Sequence, residues 1–231
     1  MPDAIRLHGR LVRLEPMAPA HADGLLQAAV ADRTTFQYTY VPADRVAVHR
    51  YIDRALEDGE LGLAVTYTLV STADGQVVGT SRLRELEYWN AGVWPPRPGH
   101  LNPDGIPDAA QIGSTWLTPA AQRTGINTEA KLFLLHLPFD TWQVHRVSLH
   151  TDTRNQRSRR AIERLGAHHE GTRRAHFKAT DGGIRDSALY SLLHHEWPAV
   201  RDRLQARLTA PHPLPDDRSA SGSPNRPVTR H

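Results

Sequence analysis

Cysteine is absent from the 231 residues. That excludes thiol nucleophiles, disulfides, iron–sulfur clusters and cysteine-ligated zinc together. No apolar run approaches the roughly 20 residues that span a bilayer. The opening MPDAIRLHGR also lacks the continuous apolar stretch of a cleaved signal peptide. A cytoplasmic protein with no membrane partner is expected. Neither sign of charge dominates: 28 Lys plus Arg against 25 Asp plus Glu give +3, too little to demand nucleic acid. G-x-x-x-x-G-K-[ST] and G-x-G-x-x-G are both missing, which removes the nucleotide-hydrolase and dinucleotide readings. The 14 histidines invite a metal reading, but H-E-x-x-H does not occur. His168-His169 and His194-His195 are adjacent pairs that point apart in a strand. No metal is expected. What remains is globular composition, 39% hydrophobic and 23% charged, with ample apolar material for one core.

Residues 209–231 hold five prolines and few apolar side chains, so they are expected to form a disordered tail behind one domain over residues 1–208. Within that domain the spacing predicts a strand over Leu7–Leu14 and helices over Ala20–Val30 and Asp44–Glu57. A hairpin follows, with Leu63, Val65, Tyr67 and Leu69 alternating before an Asp74-Gly75 turn. From Tyr88 to Asp108, five prolines, three glycines and the tryptophans Trp89 and Trp94 interrupt every pattern. A loop this long inside a compact domain is functional or disordered, or here a cover for the core. Strand and helix then alternate: a strand over Ala109–Leu117, a helix from Thr128 to Leu137, a strand over His145–His150 and a helix over Asn155–Leu165. A hairpin at Asp181-Gly182-Gly183 and a last helix over Glu196–Leu208 complete the domain. The fold class is α/β (α+β): a mixed sheet with helices on both faces.

The segment after Leu117 is the most informative. Gln122, Arg123, Thr124 and Gly125 make a short turn before a helix. A helix N-terminus presents unpaired N–H groups and the positive end of a dipole, which favour phosphate. Gly125 would let a ligand come close to the backbone, and Arg123 adds a full charge. Asn127 or Thr128 can equally be an ordinary N-cap.

Three stretches carry a resemblance to a known family. They are Gln122-Arg123-Thr124-Gly125-Ile126-Asn127 running into Thr128-Glu129-Ala130, Asn155-Gln156-Arg157-Ser158 running into Leu165-Gly166-Ala167, and Glu170-Gly171-Thr172-Arg173. Together with the opening GRLVRLEPM they resemble the GNAT superfamily of acetyl-CoA-dependent N-acetyltransferases over residues 5–208, most narrowly the ribosomal-protein N-terminal acetyltransferases. The resemblance implies a mostly antiparallel sheet with a central parallel strand pair. It also implies direct attack of an amine on acetyl-CoA with no acyl-enzyme. Two departures stand out: Asn127 replaces the last small residue of the phosphate loop, and Pro138 sits where the helix should finish.

By the same resemblance, Trp116, Leu117, Gln122, Arg123, Thr124, Gly125, Ile126, Asn127 and Thr128 would bind the co-substrate, joined by Asn155 and Ser158. Ser158 would serve the departing sulfur. The family's glutamate base falls on Gln111, which cannot take a proton, and its tyrosine falls on Ile162. Glu85, Glu87 or Asp152 could substitute as base. Trp89, Trp94, His100, Glu85 and His176 are candidate acceptor contacts. The expected partners are acetyl-CoA and an amine, either a small molecule or a peptide N-terminus, with a homodimer left open. Rival readings are O-acetyl transfer with the same co-substrate and a non-catalytic acyl-CoA-binding module. Nucleic acid ranks last, resting only on Arg154, Arg157, Arg159 and Arg160.

Overall fold

The computed structural model describes residues 5–89 and 105–210. Eight strands form one sheet in the order β1-β2-β3-β4-β5-β6-β8-β7. They are β1 (Leu7–His8), β2 (Val12–Pro16), β3 (Ala64–Ser71), β4 (Val77–Glu87), β5 (Ala109–Leu117), β6 (Arg146–Asp152), β7 (His168–Lys178) and β8 (Ile184–Leu193). Every neighbouring pair is antiparallel except β5 with β6. The helices are α1 (Ala22–Val30), α2 (Arg45–Glu60), α3 (Ile126–His136), α4 (Gln156–Leu165) and α5 (Trp197–Thr209).

Apolar residues of α3, α4 and α5 share one core with Leu14, Tyr67, Leu83, Val147 and Tyr190 of the sheet. A second cluster, from α1, α2, Phe36, Val41 and Trp116, covers the opposite face. α1 and α2 lie over β3 and β4. Both faces of β3 are therefore covered, and all eight of its residues are buried.

The expected strand over Leu7–Leu14 is instead a hairpin, β1 and β2, folded at Gly9–Leu11. Glu129, in the first turn of α3, holds the fold-back: its carboxylate accepts from Arg10 N (3.0 Å), Leu11 N (2.7 Å) and Val12 N (2.8 Å). α3 begins at Ile126, not Thr128, because Gly125 at φ 90° is its N-cap. Neither Asn127 nor Thr128 caps it. α3 ends at His136, and Pro138 enters a wide turn over Leu137–Thr141, since it has no N–H to continue the helix. α5 runs to Thr209, one residue into the expected tail, and residues 211–231 lie outside the described residues.

Candidate functional site

The parallel pair sets the geometry. β5 and β6 are in register from Ala109/Arg146 to Ile112/Leu149, where their pairing ends, although β5 continues to Leu117 and β6 to Asp152. A bulge in β5 turns it away: Thr80 pairs with Trp116 but Arg82 pairs with Gly113, and Ser114 takes φ 48°. Lys131 of α3 reaches this bulge, its Nζ donating to Thr115 Oγ1 (2.8 Å) and Ser81 Oγ (3.2 Å). Burial pushes the pKa of this ammonium down to about 7.

Each parted strand leads into a helix, and the two helix starts are neighbours. Gln122, ahead of α3, donates to Leu117 O and Thr35 Oγ1 at 2.9 Å and accepts from Arg157 of α4 at 3.0 Å. Gly125 is required by its φ of +90°, and a Cβ there would also crowd the end of the Leu11 side chain at 2.9 Å. The resulting entry into α3 leaves first-turn N–H groups, including those of Asn127 and Thr128, without intrahelical partners. Arg123 stands beside them, exposed and at φ 63°. An end of this kind suits an anion.

On the sheet face away from α3, a pocket is lined by Glu85, Gln111, His150, Glu170, Arg173 and His176, among others. The Gln111 side chain is buried, and its Nε2 donates to Glu85 Oε2 at 2.5 Å. Its Oε1 is buried without a partner. His150 packs against His176 (5.3 Å between ring centres) and Phe177 (5.7 Å). An irregularity in β7 between Arg173 and Phe177, with Ala175 at φ 48°, brings those two rings inward. Burial, aided by Arg185, His176, Arg84 and Arg173, pushes the His150 pKa down to about 3, so its ring is neutral. Burial first, and the nearby arginines after it, also lower that of His176.

A splayed parallel pair with a phosphate-ready helix start at one end and a polar pocket on the other side is an arrangement that has relatives. Residues 11–168 match the model of the acetyltransferase (GNAT) domain. The chain belongs to the GNAT acetyltransferases. A GCN5-related N-acetyltransferase from Brucella melitensis is 28% identical, covering 90% of this chain and 87% of its own, at TM-score 0.76. A protein of T. thermophilus assigned to the acetyltransferases is 31% identical, covering 90% and 98%, at TM-score 0.70. Mycobacterium smegmatis RimJ in complex with CoA-disulfide is 21% identical, covering 85% and 88%, at TM-score 0.68, and shows the shared fold alone. No curated protein sequence matches. The narrower resemblance to ribosomal-protein acetyltransferases is not singled out, since the two relatives at 28% and 31% carry no such description.

In this GNAT protein, Gln111, Glu85 and His176 meet in the pocket, and Gln122 through Thr128 form the helix entry. Asn155 is the N-cap of α4, its Oδ1 accepting from Ser158 N at 3.0 Å. The Ser158 hydroxyl makes no hydrogen bond among the described residues. Trp116 and Leu117 bury their side chains in the two cores and face any ligand through main chain only. Both carboxylate oxygens of Asp152 are held by Arg154, at 2.8 and 3.0 Å, and those bonds keep its pKa below the usual range. Asp152 is thereby committed to an ion pair and is a poor base. Glu87 is likewise bonded to Arg146 (2.6 Å) and Trp89 Nε1 (2.9 Å).

Trp89 stacks on His145 at 5.6 Å, beside Glu87 and Arg146 of the pocket lining. Trp94 and His100 lie outside the described residues. Lys131, His150 and Arg185 belong to no motif in the sequence, and Glu129 only to the helix-start stretch. A lysine on the apolar side of a helix, and a histidine at alternate spacing from Ser148, were the available signals. Among the described residues no group of three His, Asp or Glu could hold a metal, and no helix is long and apolar enough to cross a membrane.

Proposed function

We propose that the protein transfers an acetyl group from acetyl-CoA to a primary amine, by direct attack of the amine and without an acyl-enzyme. One observation carries this reading: the unpartnered Oε1 of buried Gln111, beside the point where β5 and β6 part. A buried acceptor with no donor is costly. An amine N–H, or the water that relays its proton, satisfies it. The opposite side of the parted strands leads to the N-terminus of α3, where Arg123 and the first-turn N–H groups suit a pyrophosphate.

When bound, acetyl-CoA supplies the activated acetyl group. The chain then has three tasks. The helix entry and Arg123 hold the phosphates. The backbone of β5 beyond Ile112, released from β6, is free to bond the co-substrate's arm and to steady charge on the carbonyl oxygen. Gln111 aims the neutral amine, while the Ser158 hydroxyl gives a proton to the departing sulfur and regains one from water. As nitrogen bonds to carbon and the carbon–sulfur bond breaks, the proton leaving nitrogen passes to water, because Gln111 cannot keep it. Positioning supplies most of the acceleration.

Thiol release from acetyl-CoA across a panel of amines and peptides tests the reading. Release with at least one amine, at a rate saturating in both substrates, is the expected result. Tight acetyl-CoA binding with release by none would make the protein a non-catalytic binding module.

A further inference from the structure

The sheet face that holds the acceptor pocket is electrically lopsided along the strands, from the pocket at Gln111 to Arg185 beyond its lining. Gln111, Ser148 and Ser191 lie in one row across the sheet, while Asp152, Ser187 and Arg173 lie in another. Four residues of β8 separate the rows, roughly 13 Å at the usual strand rise. The first row carries the acids: Glu85 bonded to Gln111, and Glu170 bonded to Ser191 Oγ at 2.7 Å. Neutral His150 stands between the rows. At the second row, Arg185 faces the same side of β8 as Ser187, its Nε donating to Ser187 Oγ at 3.0 Å and its guanidinium 5.8 Å over Phe177.

A census of the cations sharpens the contrast. Arg84 pairs with Glu85 (3.0 Å), Arg146 with Glu87 (2.6 Å), and Arg154 with Asp152 (2.8 Å) and Asp181 (2.7 Å). Among the described residues, Arg173 makes a side-chain hydrogen bond only to His176 (3.2 Å), and Arg185 only to the Ser187 hydroxyl, with its guanidinium over the Phe177 ring. Neither has a carboxylate within 4.0 Å among the described residues. Asp152 is near enough to favour the charged form of Arg185, but Arg154 takes both of its oxygens. Burial and the neighbouring Arg84 and Arg154 disfavour the Arg185 charge. A half-buried guanidinium with no carboxylate in direct contact is expensive. Its planar fork fits a carboxylate at two points.

We infer that the acceptor is an amine that also bears a carboxylate, its nitrogen at Gln111 and its carboxylate at Arg185 and Arg173. This rests on the amine-acetylating reading and adds the second anchor of the substrate. The row spacing, even after the reach of an arginine, puts nitrogen and carboxylate several bonds apart rather than on one carbon. The carboxylate can belong to an ω-amino acid or to an acidic side chain near a peptide N-terminus.

Calorimetry on the whole chain with CoA present tests this without turnover. The probes are N-acetylated ω-amino acids from acetylglycine to acetyl-6-aminohexanoate, plus acetyl-Ala-Glu-amide and acetyl-Ala-Gln-amide. Each free acid is compared with its primary amide, and the Glu peptide with the Gln peptide. At least one acid longer than acetylglycine, or the Glu peptide, should bind about tenfold or more tightly than its neutral counterpart. Which one does so tells the two sources apart. The preference should vanish in the Arg173→Gln/Arg185→Gln double variant. Arg173→Gln alone, at an exposed position, should weaken it while leaving the melting temperature unchanged. Equal binding of acid and neutral forms, binding of no probe, or a preference that survives both substitutions would overturn the inference. Failure of thiol release with every amine would instead remove the catalytic reading, even if the acids bind.

Discussion

Gln111 and Glu85 meet across the β4–β5 pair, Nε2 donating to Oε2 at 2.5 Å, and this contact fixes which end of the amide is left without a partner. The carboxylate claims the NH2 end, so the carbonyl oxygen is the free one. An amide can orient an amine but cannot take its proton. The pH profile of kcat/KM should therefore rise with the pKa of the acceptor amine itself. Two acceptors of different amine pKa should give two displaced profiles; a single shared break below about pH 7 would reveal a protein base. Gln111→Leu should lower kcat/KM by about tenfold, the value of one modest hydrogen bond. Gln111→Glu should add a new ionisation, because two adjacent carboxylates cannot both be charged at little cost.

Arg123 is exposed and has no partner among the described residues, so its value should lie with phosphate. Arg123→Ala should weaken acetyl-CoA by about tenfold, as one charge-assisted contact is lost. Acetyl-pantetheine without phosphates should bind unchanged. Calorimetry with both ligands decides, and equal losses would place the contact elsewhere.

The mixed sheet and the helix order were legible because each rests on local pattern, while the central parallel pair came from the family resemblance. Alternation wrote β3 and β6, and Gly166 at φ 93° marked the end of α4, whereas the cap at Gly125 (φ 90°) was read as part of the turn and α3 started two residues late. The β1–β2 hairpin was not legible, since Glu129 builds it from 117 residues away in sequence, at Val12. The pocket was half legible. Gln111 followed from its place in the family pattern, and Glu85 from the end of β4. His150 and Arg185 matter only through bulges at Ser114 and Ala175, which bend strands in ways no periodicity records. Asp152 read as a free carboxylate because nothing local says that Arg154 folds back over it.

Asn155 and Ser158 share the first turn of α4 but should fail differently. Asn155→Ala removes the cap over Ser158 N and should cost about 1 kcal/mol of stability, seen as a lower urea midpoint. Ser158→Ala leaves that cap in place. It should lower kcat by about tenfold to a thousandfold with little change in acetyl-CoA affinity, because the hydroxyl is needed only as the sulfur departs. Parallel losses in kcat and in stability for Ser158→Ala would show a structural role instead.

Lys131 offers the clearest pH test, because the chain has only one other lysine, Lys178. The buried Nζ is satisfied by Thr115 and Ser81 in its neutral form as well as its charged one, and burial holds its pKa at about 7. In the unfolded chain a lysine keeps its proton to about pH 10.4. Between those values the unfolded state holds the Lys131 proton and the folded state does not, so this residue's contribution to stability rises with pH across that window. The slope has a ceiling of about 1.4 kcal/mol per pH unit. Below pH 7 both states hold the proton, and this residue adds no slope. In Lys131→Met the rise between pH 7 and 10 should disappear, and the variant should be more stable than the parent at pH 6. The hydroxyls left behind still bond each other, Ser81 Oγ to Thr115 Oγ1 at 2.6 Å. Urea melts at pH 6, 7, 8, 9 and 10 measure both slopes. Parallel curves for parent and variant would mean that Lys131 keeps its charge in the folded protein.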